Sequence, residues 1–330
     1  MLFEKIISVA PMMGQTDRHF RYMISLLAKD VRLYTPMIHA DAIVYSEKKF
    51  IKNENHNQKD VGIQIAGSDP DIMASAAKII EQHNYNEINL NVGCPSARVQ
   101  NCSVGATLMK QPHTVAKIIE KLKKTTNLPV SIKTRIGVDN KDSYQFLYDF
   151  VKQTSSAGCE HFIVHARKAI LKGLNPKENR SIPPLNYERV ERLKNDFNEL
   201  RIDINGEVNS IEKIEQHLKV FDGVMIGREA YKNPFFIAEV QDLFFNNSSN
   251  HTKLNKLDFV EEMIDYIKKE VKQGVSAHLI TRHMTQLLKG TPGAKQWRNL
   301  IGSDTSHKKD IDTLLMEVSD FLSAKAEILV

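Results

Sequence analysis

The chain is short of several residue types, and each shortage excludes something. Of 330 residues only three are cysteine, Cys94, Cys102 and Cys159. Three unevenly spaced thiols form neither a disulfide framework nor a zinc finger, and no Cys-x-x-Cys occurs. A reducing cytoplasm is the expected compartment, and no metal is expected. No apolar run approaches the roughly 20 residues that span a bilayer, so no membrane association is expected. The amino terminus, Met1-Leu2-Phe3-Glu4-Lys5-Ile6, lacks a charged segment ahead of a long apolar core, so a signal peptide is not expected. Tryptophan occurs once, at Trp297. There is little excess of charge: 45 Lys and Arg against 40 Asp and Glu leave a formal +5, which does not by itself indicate nucleic acid.

What the chain does have is an alternation of two periods. Strand-like runs fall at 6–10, 33–35, 61–65, 87–91, 130–134, 162–164, 201–204 and 224–226, with helical patterns between them. Asp17 reads as the N-cap of a helix through Leu27, Asp69-Pro70 opens another, and a third runs from about Ser143 to Ser156. Eight strands alternating with helices over roughly 230 residues fit a (β/α)₈ barrel. An open doubly wound sheet is the alternative, but it does not need eight strands so evenly spaced. From Asn246 to Asn250 the chain is polar and reads as a linker, and a helical pattern fills the remainder of the chain. The expected organisation is a barrel over 1–245 and a small helical domain over 251–330.

In a barrel the chemistry lies where strands end. Gly93-Cys94-Pro95 closes the fourth strand on a turn that neither residue flanking the thiol would let continue as strand. Cys94 suits an acid or nucleophile there, although a single cysteine more often only packs. Asn205-Gly206-Glu207 and Gly227-Arg228 end the seventh and eighth strands, the usual barrel phosphate site, with Arg228 adding a charged contact. Lys133 stands in an otherwise apolar strand, where a cation is costly unless paired; it faces either water or an electron-rich ring. His165 and Gln64 share the rim and fit ligand contact or a structural role. The long loop 165–180 carries Arg167, Lys168, Lys172, Lys177 and Arg180 against only Glu178, on the face where it attracts a polyanion. Arg282, Lys289, Lys295 and Arg298 form a second basic set around Trp297.

These residues, in this order, resemble the flavin-dependent tRNA-dihydrouridine synthases: Ala10-Pro11-Met12, Asn91-Val92-Gly93-Cys94-Pro95, Lys133-Thr134-Arg135, His165-Ala166-Arg167, Asn205-Gly206 and Gly227-Arg228. The stretch 166–180 with its Lys-Glu-Asn-Arg, and Arg282-His283-Met284 followed by Gly-x-Pro-Gly-Ala, resemble the A-type subfamily. The resemblance covers almost the whole chain. It implies an FMN-containing barrel, a helical tRNA-binding domain, and NADPH-dependent reduction of D-loop uridines at positions 20 and 20a. It places FMN against Pro11, Met12, Met13, Gln64, Lys133, His165, Asn205, Gly206, Glu207, Gly227 and Arg228, with Cys94 as proton donor. The expected tRNA contacts are Asn91, Arg135, Arg167, Lys168, Lys172, Lys177, Asn179, Arg180, Arg282 and Arg298. A monomer is expected, since nothing demands an oligomer.

The implied chemistry agrees with the residues. Reduction of uracil needs a hydride at C6 and a proton at C5 from an acid on the opposite face, and the base must leave its stack to react. Three positions depart from the family pattern. Glu207 stands where Gly is common, and its carboxylate is expected to turn away from a phosphate. Cys102 replaces an expected Gly, and Thr107 replaces a common second Cys, which makes Cys102 a rival to Cys94 that lacks the Gly-x-Pro frame. A flavin barrel acting on a free pyrimidine needs neither the basic loop nor the helical domain. A purely RNA-binding module needs neither Cys94 nor Lys133.

Overall fold

The alternation becomes, in a computed structural model of the chain, a ring of parallel strands. The structure describes residues 4–46, 51, 60–100, 102–245, 255–302 and 311–324. The strands are β1 (Ile6–Val9), β2 (Leu33–Tyr34), β3 (Ile38–His39), β4 (Val61–Ala66), β5 (Glu87–Val92), β6 (Val130–Arg135), β7 (His161–His165), β8 (Arg201–Asn205) and β9 (Gly223–Ile226). Their order is β1-β9-β8-β7-β6-β5-β4-β2, every pairing parallel. A bridge between Ser8 and Arg32 joins β1 to β2, with Val9 N–H donating to Arg32 O at 2.8 Å and Arg32 N–H to Ile7 O at 3.0 Å. That bridge closes the ring, so the barrel replaces the open sheet. The eight expected strands are all present; β3 is an addition of two residues that pairs with β4 and carries no periodicity of its own.

β4 and β5 are buried at every position, as strands are when helices cover one face and a barrel interior the other. Ala10, just after β1, forms an apolar cluster with Tyr34, Ile163 and Met225 from β2, β7 and β9. The strand-start end of the interior is polar and satisfied: Arg32 pairs with Glu87 at 2.7 Å, Tyr34 OH donates to Glu87 at 3.0 Å, and His161 and Arg201 hold Asp203 at 2.8 and 3.2 Å. Gly62 makes room for this layer, because a Cβ there would lie 2.5 Å from the Tyr34 ring.

The chain divides into two compact units, Met1–Thr16 with Arg32–Gly227, and Asp17–Val31 with Arg228–Val330. The first is the barrel. The second does not follow a cut between 245 and 251, because the early helix Arg18–Leu27 and the helix Phe235–Phe244 pack with the late helices. Tyr22 stacks on Tyr266 at 3.8 Å, Phe235 meets Phe259 edge-on at 5.4 Å, and Arg18 pairs with the fully buried Glu270 at 2.7 Å. Trp297 is completely buried in this unit and donates to Met284 O at 2.8 Å. The expected linker at 246–250 lies outside the described residues. No helix among the described residues is long and apolar enough to cross a membrane.

Candidate active site

The turn after β5 is built from its own backbone requirements. Strand geometry ends at Val92, and Pro95 has no N–H, so the groups left to satisfy are Gly93 N–H and O, Cys94 N–H and O, and Pro95 O. Each has a partner. Asn91 Oδ1 accepts from Gly93 N–H at 3.2 Å and from Cys94 N–H at 3.0 Å. Arg135 Nε–H donates to Gly93 O at 2.8 Å, Ala106 N–H to Cys94 O at 2.9 Å, and Gln100 Nε2–H to Pro95 O at 2.7 Å. The backbone of the turn is thereby fixed, and its reactive group is the half-buried Cys94 thiol.

Asn91 is in turn held from below by a ladder of side chains across three strands. Its Nδ2 donates to Gln64 Oε1 at 2.8 Å, Gln64 Nε2 to Asn89 Oδ1 at 2.7 Å, and Asn89 Nδ2 to Ser131 Oγ at 2.6 Å. The ladder arises because residues two apart on a strand share a face, and because Asn89 lies opposite Ser131 and Asn91 opposite Lys133 in the parallel register. Ser131 reaches the Glu87 carboxylate below it. Sequence reading missed Ser131 and Gln100; the two-residue spacing of Ser131 and Lys133 on β6 was the available signal for the first.

Lys133 rises beside this ladder, half-buried, with Nζ donating to Asn205 Oδ1 at 3.1 Å. Burial, and then the neighbouring Arg135 guanidinium, push its ammonium down to about 7. Asn205 Nδ2 donates onward to Met225 O at 2.8 Å, which ties the ends of β6, β8 and β9 together. Gly206 follows at φ +135°, a conformation that suits glycine, with Tyr187 OH donating to its carbonyl at 2.5 Å. His165 packs against it: a Cβ at Gly206 would lie 3.2 Å from the imidazole. Glu207 also takes a left-handed φ of +48°, and its carboxylate is engaged by Arg167. Gly227 ends β9 with open space where a Cβ would stand. Met12 N–H is held by Thr16 Oγ1 at 2.9 Å, and Met13 is exposed. Arg228 is the first residue of a short helix in the second unit.

The expected tRNA contacts separate into two groups. Asn91, Arg135, Arg167 and Asn179 are buried and hydrogen-bonded within the protein, apart from Arg167 Nε, which has no partner there. Arg135 Nη1 donates to Lys168 O and Asn179 O, each at 3.1 Å. Arg167 reaches Pro183 O and Glu207. Asn179 accepts from Ile170 N–H at 2.7 Å and donates to Ile170 O at 2.9 Å. These four side chains brace the cysteine turn and the loop from which the exposed cations project. Lys168 pairs with Asp142 at 2.8 Å, and Arg282 pairs with Asp17. Lys172, Lys177 and Arg180 on the barrel loop and Arg298 in the second unit are exposed.

The rival thiol is elsewhere. Cys102 is exposed and lines a cavity of about 220 Å³ with His39, Gly67 and Asp69, in which Cys94 takes no part. Cys159 is buried, which pushes its thiol up to about 12.

Residues 8–325 match the family model for dihydrouridine synthase (Dus). A tRNA-dihydrouridine(20/20a) synthase of Vibrio vulnificus is 48% identical over 303 residues, covering 92% of this chain and 92% of that protein. The protein of the same name from Escherichia coli K12 is 46% identical over 311 residues, 94% of this chain and 89% of that one. Among solved structures, a 2-naphthoyl-CoA reductase complex shares the fold at TM-score 0.53 and 11% identity; the match covers 71% of this chain and about half, 49%, of that one. A barrel whose strand-end rim carries a tied cysteine turn and a half-buried lysine, matched by a family model over nearly its full length and by relatives at almost half identity, belongs to the dihydrouridine synthase family.

Proposed function

We propose that this chain reduces the C5–C6 double bond of tRNA D-loop uridines at positions 20 and 20a, with FMN as bound cofactor and NADPH as reductant. The observation that carries the reading is the turn at 93–95. Every backbone polar group in it is engaged within the protein, which leaves the thiol of Cys94 as its working group. The names of the relatives support the substrate.

The residues of the rim fit a flavin mononucleotide. Gly227 leaves open space, Gly206 bends the chain as a phosphate loop requires, and Lys133 is an amine whose charged form an anionic neighbour would stabilise. Gln64, Lys133, His165 and Asn205, with the backbone of Pro11, Met12, Met13, Gly206, Glu207 and Gly227, would hold it. A flavin bound there, with NADPH as its reductant, would supply hydride chemistry for C6 of the uracil. Cys94 gives its proton to C5, and water returns one to the sulfur, so one hydride and one proton are added across the double bond. Lys133 supports the negative charge beside it. Lys172, Lys177 and Arg180, and in the second unit Arg298, offer positive charge to the RNA backbone.

Two measurements test this. Mapping of dihydrouridine in tRNA from cells lacking the protein is expected to show loss at 20 and 20a; full modification there would overturn the proposal. In the purified holoenzyme, Cys94→Ala is expected to keep NADPH-driven flavin reduction while product formation falls by about 10²-fold or more, the usual share of a positioned acid. Undiminished product would remove Cys94 from its role, whereas Cys102→Ser is expected to leave turnover nearly intact.

A further inference from the structure

Gln100 takes no part in the chemistry above, yet it makes an unusual pair of contacts. Its Nε2 carries two hydrogens and spends both on backbone carbonyls of segments distant in sequence from one another: Pro95 O at 2.7 Å and Leu171 O at 2.9 Å. The first belongs to the cysteine turn. The second belongs to the basic loop, next to the exposed Lys172. On the other side of Cys94, Arg135 does the same thing, joining Gly93 O to Lys168 O and Asn179 O. The carbonyls immediately before and after the reactive residue are therefore each bridged to the same loop by an independent side chain.

The loop itself is braced against the opposite side. Leu171 N–H donates to Asp139 Oδ1 at 2.8 Å, Asp139 N–H to Ala169 O at 2.7 Å, and Lys110 holds the Asp139 carboxylate at 2.7 Å. With its N–H taken by Asp139, Leu171 offers its carbonyl to Gln100. A shift of residues 168–172 cannot occur without pulling on Pro95 through Gln100 and on Gly93 through Arg135.

We propose that Gln100 is a positioning residue that makes the basic loop and the Cys94 turn one mechanical unit, so that the surface offered to the RNA backbone also sets where the thiol stands. This rests on the reading of Cys94 as the acid and of the loop as the RNA-facing surface. Gln100 donates to no substrate atom; it acts through the two carbonyls.

The test uses the full chain with Gln100→Met, which keeps the side chain's length and removes both donors, and Gln100→Asn, which keeps the donors but is one methylene too short to span both carbonyls. Hydrogen exchange is followed by mass spectrometry in peptides covering 91–96 and 168–174, with and without cofactor. Both segments are expected to exchange roughly 2- to 10-fold faster in Gln100→Met, the factor set by one lost hydrogen bond of ordinary strength, with a smaller change in Gln100→Asn. In the loaded enzyme, dihydrouridine formation is expected to fall about 10- to 100-fold, as a misplaced group costs, while flavin reduction by NADPH stays within about twofold. Faster exchange confined to residues near 100, with 168–174 unchanged, would reduce Gln100 to a local brace and overturn the proposal, as would product formation equal to the parent's. Should the parent enzyme form no dihydrouridine at all, the functional reading fails, and the paired exchange of the two segments still decides whether the coupling exists.

Discussion

Lys133 stands on β6 opposite Asn91, with an amide oxygen as its hydrogen-bond partner and a guanidinium nearby. Folded, its ammonium holds a proton only below about pH 7, whereas its ordinary value is 10.5. Between those limits the unfolded chain binds more protons than the folded one, so this group makes stability rise with pH across the window. Below about 7 both states are protonated and the full cost of the buried cation is present. In cofactor-free protein, the urea midpoint is expected to climb from pH 7 to 10 by more in the parent than in Lys133→Met. Equal climbs would show that the lysine is not the group responsible. This residue was legible in the sequence, because a lysine within an apolar strand calls for an explanation. The internal hydrogen bonds of Asn91, Arg135, Arg167 and Asn179 were not. A polar side chain at a strand end looks the same whether it meets a ligand or closes a loop, and the carbonyls that engage Arg135 lie 42, 33 and 44 positions away in sequence.

At the scale of the element, the helix Arg18–Leu27 shows how a cap is shared between local and distant needs. Asp17 accepts from His19 N–H at 3.0 Å and from Phe20 N–H at 3.1 Å, which satisfies the helix start. The same carboxylate meets His283 at 2.9 Å and also Arg282. Burial raises its pKa, but the hydrogen bond and charge of His283, with the Phe20 amide and Arg282, outweigh burial and hold it well below the ordinary 3.8. Its contribution to stability is therefore complete above pH 3.8 and is lost as the solution becomes more acid. Asp17→Asn keeps the cap and loses the charge; Asp17→Ala loses both and is expected to cost about 1 kcal/mol more. The destabilisation by Asp17→Asn, read from denaturant midpoints, is expected to shrink as pH falls below that value; a cost independent of pH would assign Asp17 to capping alone. The helix and its cap were readable from Asp17 and the 3.6-residue period. The distant half of the arrangement was not, since Arg282 lies 265 positions away. Periodicity likewise marked the eight strands of the ring but missed β3, whose two residues are too few to show a period.

For the whole molecule, the consequence is a discontinuous second unit. Its first helix lies ahead of β2 in the chain, and the barrel residues from Arg32 to Gly227 separate it from the rest. A change in residue composition near 245 pointed to a boundary there, but composition reports where solvent-facing sequence begins, not which helices share a core. The helix Arg18–Leu27 buries Phe20, Met23, Ile24 and Leu27, and Arg18 is the partner of Glu270, which has no exposure. A fragment of residues 228–330 would keep that carboxylate and lose its guanidinium. Breaking a buried pair by removing one partner costs about 3–5 kcal/mol, on top of the lost apolar burial, against a stability of order 5–15 kcal/mol for an entire domain. The fragment is therefore expected to lack a cooperative melt by circular dichroism and to show collapsed amide dispersion by NMR. The same fragment with residues 17–31 joined ahead of Arg228 through a flexible linker is expected to melt cooperatively. A cooperative melt of 228–330 alone would mean that the early helix is an accessory, and a failure of the joined chain would mean that barrel residues are needed to complete the helical core.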